Sequence, residues 1–441
     1  MRPRARPGPL RVGVDDTDSP EGGCTTWVLT EIAAAARARG VDLVGEPRLV
    51  RLNPNVPWKT RGNAALSLRL GHGLGVPAPV GEIGGEAVVA FPRGRPLTAA
   101  ERGPLLDDLW ARVRALAPRR AGTDPALVAV DRPLPPRLYW EAVRGIVRVG
   151  ERTAELRAAG AFVRVRSGRR GIVGAAAAIA WPGSRATWEL LAYRAADRLG
   201  SPRSVERESV LQAERAEPEL FLCSDARTRR VLVSPHTPCP ILFGLRGRSP
   251  SAPLRARTLI RSEPVDRWML FRTNQGTGDH LVRRAVADVV PLSSAIVDGN
   301  VDGSAAVGEG GHVRFGLRDA AGDVLPCVAF EPTKTLPEVA RRLRAGDRLQ
   351  VWGSRGRTGA FRLEGIRVLR LAAVDRWAAP TCPACQRRAR SLGTGRGWRC
   401  DRCRRQFPLE AGGRFAPPRR LRPGAYHPTR SARRHLAPLG P

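Results

Sequence analysis

Lysine is nearly absent from this 441-residue chain. Lys59 and Lys334 are the only two, so the formal net charge of +33 rests on arginine. Acid is scarce as well, with 41 Asp and Glu against 74 Lys and Arg. An imbalance of that size predicts attraction to a polyanion, because each phosphate neutralised releases counterions. Arginine grips phosphate bidentately and stacks on bases, which suits RNA better than lipid. Long apolar runs are missing too. The longest, Ile172 to Trp181, is far short of the roughly 20 residues that span a bilayer, so no membrane helix is expected. The start carries charge but no apolar stretch before Asp15, which argues against a secretory leader and for a cytoplasmic protein. Neither G-x-x-x-x-G-K-[ST] nor a G-x-G-x-x-G after a strand occurs. Any ATP site is therefore of a less common type.

What remains is enough for several folded units. Hydrophobic residues make up 42% of the chain, which excludes compositional disorder. At roughly 150 residues per domain the length suggests three domains or four small ones. Leu10 to Val14 reads as a buried strand, followed by the acidic turn DDTDSPEGGCTT and a helix from Thr25 to about Gly40. Strands are expected at 47–52 and 64–70, with a Gly/Pro-rich loop over 71–85. After DRPLPP at 131–136 a second α+β unit follows, in which GIVGAAAAIA and TWELLAYRAADRL read as helices. From about 286 to 374 the pattern gives five strands with one helix, LPEVARRL, between the third and fourth, the order of an OB-fold. The Pro/Arg-rich tail from Gly412 is expected to order only on binding.

Cys382-x-x-Cys385 and Cys400-x-x-Cys403 are the sharpest chemical signal. Two tight knuckles separated by 14 residues suit a hairpin that closes a tetrahedral thiolate site for a structural Zn²⁺. The other four cysteines, Cys24, Cys223, Cys239 and Cys327, are scattered, so no disulfide framework is expected. Around the knuckles, Arg376 to Pro441 holds sixteen Arg against Asp401 and Glu410, a net of about +14. Trp398 and Phe407 are interleaved with them, a composition that favours nucleic acid.

Asp15, Asp16 and Asp18 crowd the end of the first strand. Carboxylates this close repel unless a cation or a donor-rich turn offsets them. Mg²⁺ bridging carboxylates and nucleotide phosphates is one reading, and Thr25 at a helix N-terminus adds an anion site. An Asx-turn with a helix cap is the other. Lys59 in PWKTRGN is a candidate to reach phosphate or a plain surface lysine. His72, His236, His280 and His312 show no metal-ligand spacing.

The segments GVDDTDSPEGGCTTW, PRLVRLNPNVPWKTRGN, RGIVGAAAAIAW with TWELLAYR, SPHTPCPILFGLRG, FRTNQGT, GGHVRFGL, FEPTK, the four-cysteine ribbon and ARRHLAPL occur in this order. Together they resemble the archaeal tRNA(Ile) 2-agmatinylcytidine synthetases over about Leu10 to Leu439. The resemblance implies a multidomain α+β chain: a kinase-like α/β domain (10–132), a ferredoxin-like domain with a connecting segment (133–285), an OB-fold barrel (286–374), and a zinc ribbon with basic tail (375–441). It implies ATP-dependent ligation of agmatine to the 2-position of the wobble cytidine in CAU-anticodon isoleucine tRNA, with AMP and phosphate as products. Asp15, Asp16 and Asp18 match the family's ATP–Mg²⁺ residues, Thr25 its phosphorylated threonine, and Lys59, Thr60, Arg61 and Asn63 its second nucleotide motif. The chain departs from the family pattern at Gly23, at Trp27 and in FLCSD, and Asp225 and Asp279 are candidate agmatine contacts. The rival reading is a non-enzymatic nucleic-acid-binding protein, which leaves DDTDS and PWKTRGN without a purpose.

Overall fold

A computed structural model describes residues 7–119, 122–357, 359–373, 376–415 and 419–439. The boundary expected at 374/375 lies outside these residues. Strand β1 (Leu10–Asp15) is flanked on both sides by antiparallel partners, β3 (Ala64–Leu74) and β4 (Ala126–Val130). They belong to a twelve-stranded sheet that runs on through β7 (Val265–Thr273) and β5 (Thr187–Arg194) to β6 (Ile241–Gly247) at the far edge. Strand β2 (Arg48–Arg51) ties the two halves together, antiparallel to β3 and parallel to β7.

Both faces of the β1 half are covered. On one, helix α1 (Thr25–Ala38) buries Val28, Leu29 and Ile32 against the same core as Leu105, Leu109 and Val113. On the other lies α2 (Gly171–Ala180), whose small residues let its backbone ride directly on β1. A Cβ on Gly13 would stand 2.3 Å from the Ala175 carbonyl, and one on Gly174 only 1.9 Å from Asp15 Oδ2. That close approach shields Asp15 from water, which matters below.

Three expectations are corrected. TWELLAYR is the strand β5, not a helix. It lies between β6 and β7 with nearly every residue buried, so the alternation that marks a half-exposed strand is missing. The 71–85 region is not a loop. β3 continues to Leu74, and Ala78–Ile83 pairs with Glu86–Phe91 around Gly84-Gly85, both with positive φ. Gly73 belongs to that strand because the Phe91 ring packs onto it, 2.2 Å from where a Cβ would stand. Finally, the C-terminal tail is folded in over 419–439. Gly424–Tyr426 pairs with the last barrel strand, and the chain then returns to the first sheet.

The barrel is β8 (Ser294–Val307), β9 (Val313–Arg318), β10 (Val324–Ala329), helix α3 (Thr335–Ala340), β11 (Arg348–Arg355) and β12 (Phe361–Arg370). β8 pairs with both β9 and β11, and β10 runs parallel to β12, so the sheet closes on itself around an apolar core. The helix falls between the third and fourth strands, as expected. In the ribbon, each cysteine pair sits in a tight turn. Gln386 N–H reaches the Cys382 carbonyl and Arg404 N–H the Cys400 carbonyl, with Gln386 and Arg404 both left-handed. All eight cysteines are free, and no helix among the described residues is long and apolar enough to cross a membrane.

Candidate active site

A cavity of about 550 Å³ opens between the two halves of the large sheet. Asp15, Asp16, Asp18, Thr25, Lys59, Thr60, Arg61 and Asn63 all line it. Two segments far apart in sequence meet here because β1 and β3 are neighbours in the sheet and the PWKTRGN loop leads into β3.

The acidic turn is held from outside. Asp16 has φ of 58°, a left-handed conformation that Asp tolerates better than most residues. Arg61 Nε donates to Asp18 Oδ2 at 3.0 Å, and its Nη2 donates to the Gly23 carbonyl at 2.7 Å. Thr60 and Thr123 hydroxyls both donate to the Asp18 carbonyl. Asn63 Nδ2 donates to the Asn53 carbonyl and closes the loop. Arg61 and Asn63 thus use their polar atoms to shape the cavity wall. Gly23 has φ of 77°, so the residue that departs from the family pattern is suited to this turn.

Charge is stored in the turn. Burial, then the charges of Asp16 and Asp18, holds the Asp15 carboxyl well above its ordinary range. Burial and the nearby Asp124 push Asp16 up to about 6, against the pull of Arg170. Asp18 is raised by burial despite its ion pair with Arg61. Three desolvated hard oxygen donors fit a hard cation. They do not converge on a point, however. Among the described residues only Cys382, Cys385, Cys400 and Cys403 bring three or more ligand atoms within 4.8 Å of one another. The carboxylates therefore suit an ion completed by a ligand's oxygens, which is how Mg²⁺ is commonly held on nucleotides.

Thr25 is the first residue of α1, and Cys24 is the cap. Cys24 makes no side-chain capping bond, and burial pushes its thiol up to about 11. The Thr25 hydroxyl has no hydrogen-bond partner among the described residues, and it stands at the α1 N-terminus, where the helix dipole favours an anion. Lys59 donates to the Pro54 carbonyl, and burial, then Arg434 and Arg362, lowers its ammonium pKa.

The opposite wall was not anticipated. Glu189 on β5 is 1% exposed and receives Arg246 Nε at 2.9 Å, Arg51 Nη2 at 3.5 Å and the Gln275 amide. Reading β5 as a strand would have put Glu189 on one face with Leu191 and Tyr193. SPHTPCPILFGLRG contributes His236, Cys239 and Arg246 to the same wall, and the tail contributes His435. The acids set aside for agmatine lie elsewhere. Asp279 accepts from Tyr139 Oη at 2.6 Å, and Asp225 accepts Arg227 N–H and Ser431 N–H. Neither lines the cavity.

In the ribbon, backbone amides of Cys403 and Arg402 push the Cys400 thiol down to about 7, while Cys403 pushes Cys385 up to about 12. Thiols packed with Cys382 and Cys403 Sγ at 3.5 Å ionise together only around a cation, so the donor set fits Zn²⁺.

A carboxylate-lined cavity joined to a closed barrel and a four-cysteine ribbon suits an enzyme that acts on nucleic acid, and comparison with known proteins narrows the class. Family models described as the TiaS TCKD domain, the TiaS FLD domain and the TiaS C-terminal zinc ribbon domain match residues 11–166, 169–280 and 379–410. The TiaS of Methanosarcina mazei, the 2-agmatinylcytidine synthetase of the second isoleucine tRNA, is 36% identical over 440 residues, covering 97% of this chain and 96% of that protein. A crystal structure of TiaS in complex with that tRNA and ATP is similar with a TM-score of 0.82 at 32% identity, covering 98% of this chain and 96% of that one. The crystal structure of TiaS with the tRNA, AMPCPP and agmatine gives 0.80 at 30%, covering 98% of this chain and 96% of that one. The chain belongs to the TiaS family of isoleucine-tRNA 2-agmatinylcytidine synthetases.

Proposed function

We propose that the chain uses ATP to join agmatine to C2 of the wobble cytidine in CAU-anticodon isoleucine tRNA, working in the cytoplasm as a C–N bond-forming ligase. The observation that carries this reading is that eight motif residues from two distant segments line a single cavity. Relatives solved with the second isoleucine tRNA, ATP, and AMPCPP plus agmatine supply the partners. A passive nucleic-acid-binding protein has no use for a half-buried carboxylate turn lining the same cavity as an unpartnered threonine.

The chemistry follows from the substrate. The C2 carbonyl of cytosine is a poor electrophile, and phosphorylating its oxygen turns that oxygen into a leaving group. The agmatine amine then forms the new C–N bond as the C2–O bond breaks, and phosphate departs with the oxygen. Bound Mg²⁺ would offset charge on the transferring phosphoryl group. Asp15, Asp16 and Asp18 hold and orient the nucleotide end of the cavity. Thr25 accepts the other phosphoryl group where α1's amides stabilise it, and water then releases it as phosphate, so that ATP ends as AMP. Lys59 and Thr60 meet phosphate, while Arg61 and Asn63 keep the turn in shape. The target base leaves the anticodon stack to enter, as the cavity's depth within the sheet requires. We read the part matched over 11–166, longer than the 10–132 expected, as kinase-like, the part matched over 169–280 within the expected 133–285 as ferredoxin-like, and the barrel as an OB-fold that, with the ribbon, grips the tRNA body.

ATP turnover to AMP is expected only when the CAU-anticodon tRNA is present. Tight tRNA binding with no tRNA-dependent AMP would favour the passive protein instead.

Zinc removal separates gripping from chemistry. Cys382→Ser is expected to release Zn²⁺, unfold the ribbon and weaken tRNA binding, because so small a unit has little core of its own. ATP binding is expected to persist, since the large sheet has a separate core. Equilibrium dialysis with ATP and metal analysis check both halves. Purified wild-type protein without zinc would contradict the assignment.

A further inference from the structure

The tail that leaves the barrel does more than pack. Arg434 pairs with Glu364 of β12 at 3.0 Å and donates to Asn55 of the second motif at 3.1 Å. Beyond it the backbone is stitched to the FRTNQGT segment: Gly276 N–H donates to the His435 carbonyl, Gly278 N–H to the Leu436 carbonyl, and Leu439 N–H to the Gly276 carbonyl. Leu436 is 2% exposed, in the core that α2 shares. These bonds leave His435 at the cavity wall with its Nδ1 3.2 Å from Gln275 Oε1.

That chain of bonds fixes the protons. Glu189 is already held by two arginines, so its carboxylate only accepts, and the Gln275 amide nitrogen must face it. Gln275 Oε1 then faces His435 and also accepts, so Nδ1 carries the proton and Nε2 is the open acceptor. A Cβ on Gly62 would stand 3.4 Å from that Nε2, which places it beside the PWKTRGN loop. Arg51 first, then burial and Arg246, keeps the imidazole pKa well below its usual range. The ring is therefore neutral and a poor base.

Resting on the ligase reading above, we propose that His435 is a positioning residue for the reaction: through Gln275 it holds Glu189 between Arg51 and Arg246, and it offers Nε2 as a hydrogen-bond acceptor at the cavity wall. The tail thus links the tRNA-gripping half of the molecule to the reaction chamber.

The test uses the full-length, zinc-loaded protein, with agmatine transfer to the CAU-anticodon tRNA as readout. Wild-type transfer checks the underlying reading, and the variants are judged only against it. His435→Leu keeps bulk and removes the Gln275 bond and the open acceptor, and kcat is expected to fall about 10- to 100-fold, the scale of a small misplacement in a reaction site. Its tRNA affinity is expected within about twofold of wild type, since the charges that grip phosphate are intact. His435→Asn returns an amide donor near the Nδ1 position and is expected to recover most of the loss. Its acidic pH limb is expected to match wild type, because the neutral ring moves no proton. Gln275→Met reads the same link should the leucine variant fail to fold, and the His435→Leu/Gln275→Met pair is expected to cost no more than the larger single loss. Wild-type kcat in His435→Leu or in Gln275→Met, equal rates for Leu and Asn, or a lost acidic limb in the Asn variant would each overturn the proposal.

Discussion

Asp16→Asn is expected to lower turnover by roughly 100-fold or more, because it removes a ligand from the charge that stabilises phosphoryl transfer. The ligand-free variant is expected to be at least as stable as wild type. The sign follows from linkage. Burial and Asp124 raise the Asp16 pKa from 3.8 in the open chain to about 6 in the fold. Between those values the folded state binds more protons than the unfolded one, so stability falls as pH rises from about 4 to about 6. Above that window wild type carries the full penalty of an ionised, crowded carboxylate, and asparagine does not. Asparagine also accepts the left-handed backbone at this position. Asp15→Asn is expected to behave alike, since its carboxyl is raised for the same first reason. Asp18→Asn should lose activity but gain less stability than the other two, because the ion pair with Arg61 offsets part of the burial penalty. Melting curves without nucleotide at pH 5 and pH 8, set beside single-turnover rates, check the set. Activity within a few fold of wild type in all three variants contradicts the assignment.

Thr25→Val is expected to abolish transfer and to leave no phosphate on the protein at this site. Valine preserves the β-branched shape, and the helix start does not depend on the hydroxyl. Cys24 is the cap, and it caps without a side-chain bond. The alternative that Thr25 serves only to cap the helix therefore loses its structural basis. Thr25→Ser keeps an acceptor oxygen and is expected to retain phosphate and measurable transfer. Phosphopeptide mapping after incubation with ATP distinguishes the forms. A valine variant that modifies tRNA at the wild-type rate would remove Thr25 from the mechanism.

Much of the carboxylate end of the cavity was legible from sequence because its signals are local. Three carboxylates within four residues, and a helix starting seven residues later, need no knowledge of distant contacts. The ribbon was legible for the same reason, since a knuckle is set by spacing. The other wall was hidden by burial. β5 is covered on both faces, so Glu189 appears in a run that shows helix-like rather than alternating apolar residues. Arg51, Arg246 and Gln275 lie in segments that carry the family resemblance, but nothing in their spacing joined them into one site. His435 lay in a stretch whose Pro and Arg content suggested disorder. Its order comes from backbone bonds to glycines 276 and 278, which only the fold brings near.

The most direct test is the mass of the wobble nucleoside. Full-length protein is incubated with CAU-anticodon isoleucine tRNA, ATP and agmatine, and the tRNA is then digested to nucleosides. The account predicts a cytidine heavier by one agmatine less one water, appearing only when ATP and agmatine are both present and forming roughly 100-fold more slowly with Asp16→Asn. An unmodified cytidine under complete conditions, with the tRNA bound and zinc in place, would contradict it.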